Sequence, residues 1–158
     1  MYETALQNAT RYAERQGIQL IDQLGSGLDG IVLTTNRQSA VKALRYRTQY
    51  EREKSVYLRL EKNGVGTIGG FNIPRLIGCH DDFMVVEMEV VSPPFIVDFA
   101  GAYLDEEPDF PPEILRDWIA EKREQFGSRW PAVRSAIAEF RQHGIHIVDA
   151  KPGNVMFS

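Results

Sequence analysis

An α+β fold, an antiparallel sheet followed by helices, is what this sequence predicts, and three observations predict it. Between residues 18 and 44, short β-branched and apolar runs alternate with glycine and Asn-Arg turns, as consecutive antiparallel strands do. Residues 46–60 then carry Arg, Glu and Lys around Tyr50, Val56, Tyr57 and Leu60, the spacing of one amphipathic helix. From Pro112 onward two more segments have helical spacing, the first with Pro near its start and the second ended by Gly144.

In chain order, residues 1–17 form an N-terminal helix, because Tyr2, Leu6, Ala9, Tyr12 and Ala13 recur at helical spacing and Gly17 ends the pattern. Residues 18–91 form the sheet-bearing unit. Ile18, Leu20, Ile21 and Leu24 make its first strand, which Gly25-Ser26-Gly27 is expected to break. Residues 31–35 make the second, Asn36-Arg37 the turn, and residues 40–44 the returning strand. After the helix at 46–60, residues 64–70 read as a glycine-rich break, and strands follow near 75–78 and 83–90 around a His80-Asp81-Asp82 turn. Residues 92–158 form a reduced helical unit. In it Ser92-Pro93-Pro94 ends the sheet pattern, residues 101–112 are an acidic, proline-bearing connector, and helices cover 112–126 and 131–143. The apolar stretch 145–157 is interrupted by Pro152-Gly153.

With 158 residues, this is enough chain for one well-cored domain or two small lobes. A net charge of -4 argues against a broad basic surface for nucleic acid or anionic membrane. The lone Cys79 excludes an internal disulfide, and His80, His143 and His146 lack metal-ligand spacing. The N-terminus has no signal-peptide pattern and no apolar run is long enough to span a bilayer, so the expected setting is the cytoplasm.

Three patterns carry chemistry. Gly25-Ser26-Gly27-Leu28-Asp29-Gly30-Ile31-Val32 spells Gly-x-Gly-x-x-Gly-x-Val, whose glycines let backbone N–H groups approach a phosphate. That spacing also occurs in dinucleotide folds and in plain turns; the β-branched run after Gly30 favours a loop between antiparallel strands over a helix start. Next, Lys42 stands inside an apolar strand, where an ammonium needs an anionic partner. Glu53 on the following helix is a candidate for it, Glu51 a weaker one. Last, Asp149-Ala150-Lys151-Pro152-Gly153-Asn154 sets a carboxylate, an ammonium and an amide on one loop. Such a set can deprotonate a hydroxyl, steady a transferring phosphoryl group and ligate magnesium.

Taken in order, these motifs resemble the protein-kinase superfamily over residues 18–157. The resemblance implies an antiparallel-sheet N-lobe with one main helix, a reduced helical C-lobe, and ATP with magnesium as ligands. It implies that Gly25, Ser26, Gly27 and Gly30 cover the phosphates, that Val32 and Ala40 line an adenine pocket with Met88 at its back, and that the backbone of Glu89 and Val91 faces the base. Lys42 would bind phosphate and pair with Glu53, Asp149 would be the catalytic aspartate beside Lys151, and Asn154 would be a magnesium ligand. Two departures shape the expectation. Ile147-Val148 replaces the His-Arg that precedes the aspartate in the family, and no Asp-Phe-Gly follows Asn154 before Ser158. The chain is therefore expected to be a minimal or atypical ATP-dependent phosphotransferase, with a pseudokinase that holds nucleotide or a protein partner as the alternative and a fragment of a longer kinase as a third reading. The underside of the truncated lobe is expected to be covered by residues 92–130, by the N-terminal helix, or by a protein partner or self-association.

Overall fold

The computed structural model describes residues 2–27 and 29–158. Met1, at the head of the expected N-terminal helix, and Leu28, inside the glycine run, lie outside the described residues, as do the side chains of Tyr2 and Glu3. Helix α1 is Tyr2–Gln16 and is followed by strands β1 (Leu20–Ser26), β2 (Gly30–Thr35) and β3 (Ser39–Leu44). Helix α2 (Arg47–Lys62) precedes β4 (Thr67–Ile68), β5 (Phe71–Asn72), β6 (Leu76–His80), β7 (Val85–Glu89), β8 (Phe95–Ile96) and β9 (Tyr103–Leu104). Helix α3 (Pro112–Phe126), a 3-10 turn and helix α4 (Trp130–Gln142) lead to β10 (Ile145–His146) and β11 (Val155–Met156). The α+β class holds: an antiparallel five-stranded sheet in the order β1-β2-β3-β7-β6, with helices packed on it.

Strand β3 is buried at every position because both sheet faces are covered. Alternation along the strand splits it. Val41 and Ala43 pack with Ala5, Ala9 and Tyr12 of α1, whereas Ala40 and Leu44 join Tyr50, Val56, Tyr57 and Leu60 of α2 in the larger core. Lys42, between Ala40 and Leu44, therefore points to the α2 side.

Two local expectations are corrected. Strand β1 does not break at Gly25; it runs on through Ser26, pairing Gly25 with Val32 and Ser26 with Ile31, since a glycine keeps both ladder groups. The position that does need glycine is Gly30, where φ is 151° and a Cβ would meet the Ala43 carbonyl oxygen at 2.0 Å. The second correction concerns the segments read as glycine-rich break and surface connector, which contain β4 and β9. Such two-residue strands carry no period of their own and form only through their partners: β4 pairs antiparallel with the neighbouring β5, whereas β8 pairs with the distant β11, and β9 with β10. Residues 95–104 are thereby clamped onto residues 145–156. Among the described residues, no helix is long and apolar enough to cross a membrane.

Candidate functional site

Lys42 sits opposite Val32 on one side and Val86 on the other. Its Nζ lies 3.2 Å from Glu53 Oε1 and 3.0 Å from Asp98 Oδ1. Glu53 is fully buried on the sheet-facing side of α2, and its Oε2 accepts the Phe99 N–H at 2.7 Å. Glu51 is exposed and meets Lys54 at the surface, 3.4 Å away. Burial by itself would strip the Lys42 ammonium of its proton, but the Glu53 and Asp98 carboxylates outweigh that and hold it charged, above the usual lysine range. Burial likewise works to raise the Asp98 carboxyl, and the Lys42 charge beside it keeps it below the usual range.

Across a narrow crevice stands the loop after β10. Asp98, Asp149 and Asn154 supply the polar side chains of that crevice, with Ile96, Phe99 and Ile147 among its apolar walls. The Asp149 carboxylate packs directly on Gly101, where a Cβ would come within 2.7 Å of Oδ2. Burial, followed by the nearby Asp98 charge, pushes the Asp149 carboxyl up, with Lys151 opposing. The Asn154 carbonyl oxygen accepts the Val97 N–H at 3.0 Å and its own N–H donates to Lys151 O at 2.9 Å. Its amide Nδ2 is buried with no partner among the described residues. Helix α3 braces the loop from below, Trp118 Nε1 donating to Val148 O at 3.0 Å. Lys151 itself is exposed.

The remaining candidates lie along the sheet. Gly25 and Ser26 end β1, and the Gly27 N–H donates to Gly30 O at 3.0 Å, closing the hairpin tip. Register puts Val32, Ala40, Lys42 and Met88 on one sheet face, since Val32 pairs with Lys42 and Ala40 with Met88. Met88 is buried, its sulfur accepting the Tyr57 hydroxyl at 3.2 Å. Past it the main chain is fixed by Glu89 N–H to Arg75 O (2.9 Å) and Val90 N–H to Gln38 O (3.3 Å), which leaves Val91 half-buried at the edge.

Asp98 is the residue that the sequence patterns do not reveal. It places a second carboxylate beside the lysine, in addition to Glu53. Its signal is present: Asp98-Phe99-Ala100-Gly101 differs from Asp-Phe-Gly by one inserted alanine. It precedes the Asp149 loop by some fifty residues, and the pairings of β8 with β11 and β9 with β10 bring the two segments together. Phe99 anchors the segment, edge-on to Tyr57 at 5.3 Å and to Phe140 at 5.6 Å between ring centroids. Asp98 itself adopts a left-handed φ of 73°.

No family model matches the chain, and no curated protein matches it. Among solved structures it is similar to the streptomycin–ATP–APH(2″)-IIa ternary complex, at 16% identity and a TM-score of 0.42 over 76% of this chain and 35% of that one. The ADP-bound aminoglycoside phosphotransferase APH(2″)-Ib gives the same identity, score and coverage. A gentamicin–APH(2″)-IIa complex follows at 17% identity and TM-score 0.42, covering 74% and 33%. The chain thus spans about a third of the length of these structures.

Proposed function

We propose that this chain is an ATP-dependent phosphotransferase of atypical protein-kinase-like form, acting on a hydroxyl acceptor. The observation that carries the reading is the Lys42 ammonium held between Glu53 and Asp98, with Asp98 in turn lining a small cavity together with Asp149 and Asn154. A buried ammonium fixed by two carboxylates is suited to phosphate oxygens, and the hairpin ending at Gly30 stands on the neighbouring strand to cover them. Val32, Ala40 and Met88 form the apolar face for the base, with the Glu89 and Val91 main chain at its rim. Asp149, its carboxyl raised by burial, takes the acceptor's proton. The acceptor oxygen forms a bond to the γ-phosphorus while the bond to the β-phosphate oxygen breaks, ADP leaves, and Lys151 steadies the charge in transit.

The donor set suits magnesium, a hard cation that takes oxygen ligands. Both Asp98 hydrogen bonds go to Oδ1, which leaves Oδ2 without one among the described residues; the unpartnered buried atom of Asn154 is Nδ2, a donor suited to a phosphate oxygen, so Asn154 would reach the ion only through its amide oxygen. Among the described residues no three His, Cys, Asp or Glu side chains form a metal cluster, so Asp98 and Asn154 would share the ion with nucleotide phosphates and water. Bound there, the ion would neutralise phosphate charge. The alternative is a non-catalytic nucleotide holder, motivated by the absence of an Asp-Phe-Gly after Asn154; the Asp98 carboxylate beside Lys42 supports the catalytic reading over it.

The test is an ATP titration with and without magnesium on the chain and on Lys42→Ala, reading thermal shift and transferred or released phosphate. Magnesium-dependent binding and turnover, both lost in the variant, are expected. Binding without turnover would restore the pseudokinase reading, and no binding would refute both.

A further inference from the structure

We infer that Arg59 fastens α2 across the two halves of the molecule and thereby holds Glu53 against Lys42 with no modification required. Three segments converge on one guanidinium. Arg59 Nη1 donates to Asp105 Oδ1 and to His143 O, each at 2.9 Å, and Nη2 donates to Asp105 Oδ2 at 2.8 Å. Such a bidentate fork fixes direction as well as distance. The junction is shaped to receive it. Asp105 takes a left-handed φ of 64°, and its N–H donates to Gly144 O at 2.8 Å. Gly144 has φ 75°, and a Cβ there would meet both Arg59 Nη1 and Asp105 Oδ1 at 2.6 Å, so only glycine leaves room for the ion pair. Two weaker ties lie on the same helix: Asn63 Nδ2 is 3.0 Å from His143 Nδ1, and the Arg52 guanidinium lies 4.6 Å from the centre of the Tyr103 ring.

The clasp matters because of what shares its two ends. Glu53 lies on α2 less than two turns before Arg59. Asp98 lies on the short segment that β9 joins to Asp105. One segment thus grips β3 through Asp98–Lys42 and α2 through Asp105–Arg59, closing a ring of contacts around the Lys42–Glu53 pair. Arg59 is a positioning residue, since it touches none of the crevice groups. The clasp is partly solvent-exposed, so its loss is expected to let the helix shift instead of unfolding the chain. Its catalytic consequence rests on the phosphotransferase reading; its structural one does not.

The experiment reads Lys42 directly. The rate at which a small amine-acylating reagent modifies Lys42 is followed by mass spectrometry in the folded chain without nucleotide. Arg59→Ala and Asp105→Asn should each raise it at least about threefold; asparagine is chosen because it tolerates the left-handed backbone. Arg59→Lys should fall between, and Lys62→Ala, at the exposed end of the same helix, should leave it unchanged. Should Arg59→Ala not fold, Asp105→Asn decides alone. A Lys42 rate equal to the parent's in folded variants overturns the clasp, whatever the chain does with ATP. In a chain that transfers phosphate, kcat should fall in both variants with the KM for ATP moved less. Unchanged kcat in a variant whose Lys42 rate has risen overturns the catalytic consequence.

Discussion

Carboxylates lie against both faces of the central sheet, Glu87 wholly buried on one and Asp98 half-buried on the other, and the two are treated in opposite ways. On the α1 face, Glu87 of β7 is wholly buried and accepts hydrogen bonds from Tyr12 Oη at 2.7 Å, Ser39 Oγ at 2.5 Å and Arg37 Nε at 2.7 Å, with a second contact to Arg37 Nη2. Every lone pair that matters is occupied, and the group serves to attach α1 to the sheet. On the α2 face, Asp98 has the Lys42 contact and a long one from the Ala100 N–H, while Asp149 and the Asn154 amide lean into the same crevice short of partners. Buried polar groups are normally satisfied. A closed set therefore acts as a rivet, and the open one is where, on the proposed function, a ligand would complete the set.

That contrast can be broken or sharpened by experiment. Turnover should respond most on the open face: Asp149→Asn is expected to lower it by about 10²–10⁴-fold with ATP binding retained, as loss of a general base does, measured by phosphate transfer at saturating ATP. On the closed face, Glu87→Ala should cost about 1–3 kcal/mol of stability in denaturant titrations, because it leaves the buried Tyr12 and Ser39 hydroxyls without their acceptor while the partly exposed Arg37 is screened by solvent, and ATP affinity in the folded protein stays put. Were Glu87→Ala to abolish binding and leave stability alone, the assignment of the two faces would be reversed. Asp98→Asn should weaken magnesium-dependent ATP binding at least about tenfold, the size seen even for groups one shell beyond a metal, with a smaller stability change than at Glu87.

The smallest effect is on pH. Bonds from Arg37, Ser39 and Tyr12 overcome the burial that would raise the Glu87 carboxyl and hold it below its ordinary 4.5, so its contribution is complete above that value and is lost as pH falls below it. Asp149 is raised above its ordinary 3.8 by burial and by Asp98, so its ionisation opposes folding as pH climbs through the raised value. Asp149→Asn should therefore be more stable than the parent at neutral pH and match it in acid, whereas Glu87→Gln should be the less stable of its pair at neutral pH with the gap closing in acid. Thermal melts across pH 3 to pH 8 would show both.

Much of this was legible in the residues. The alternation in 31–35 and 40–44 specified β2 and β3, and helix spacing gave α2, α3 and α4, because their signals are local. Lys42, Glu53, Asp149, Lys151 and Asn154 could be nominated because each lies in a short pattern whose chemistry is self-explanatory. Asp98 could not be nominated by order, since what places it is the pairing of two-residue strands far apart in sequence. Gly25 misled in the other direction: a glycine reads as a strand end, yet its backbone pairs with Val32 in the ladder. The Arg59–Asp105 clasp was equally hidden, as neither residue differs by sequence from the solvated charges around it.

The return of β11 to β8 also bears on how the chain comes to life. Lys42 and Glu53 lie on elements complete once β7 has formed, whereas Val155 must find Ile96 and Ile145 must find Leu104 across a stretch that holds α3 and α4. Such distant closures are slow because the loop entropy is lost before the contact forms. On the ribosome, the sheet with its lysine emerges first, and the crevice takes shape after β10 and β11 have left the exit tunnel. A nascent chain can hold its Lys42–Glu53 pair before Asp149 and Asn154 reach Asp98.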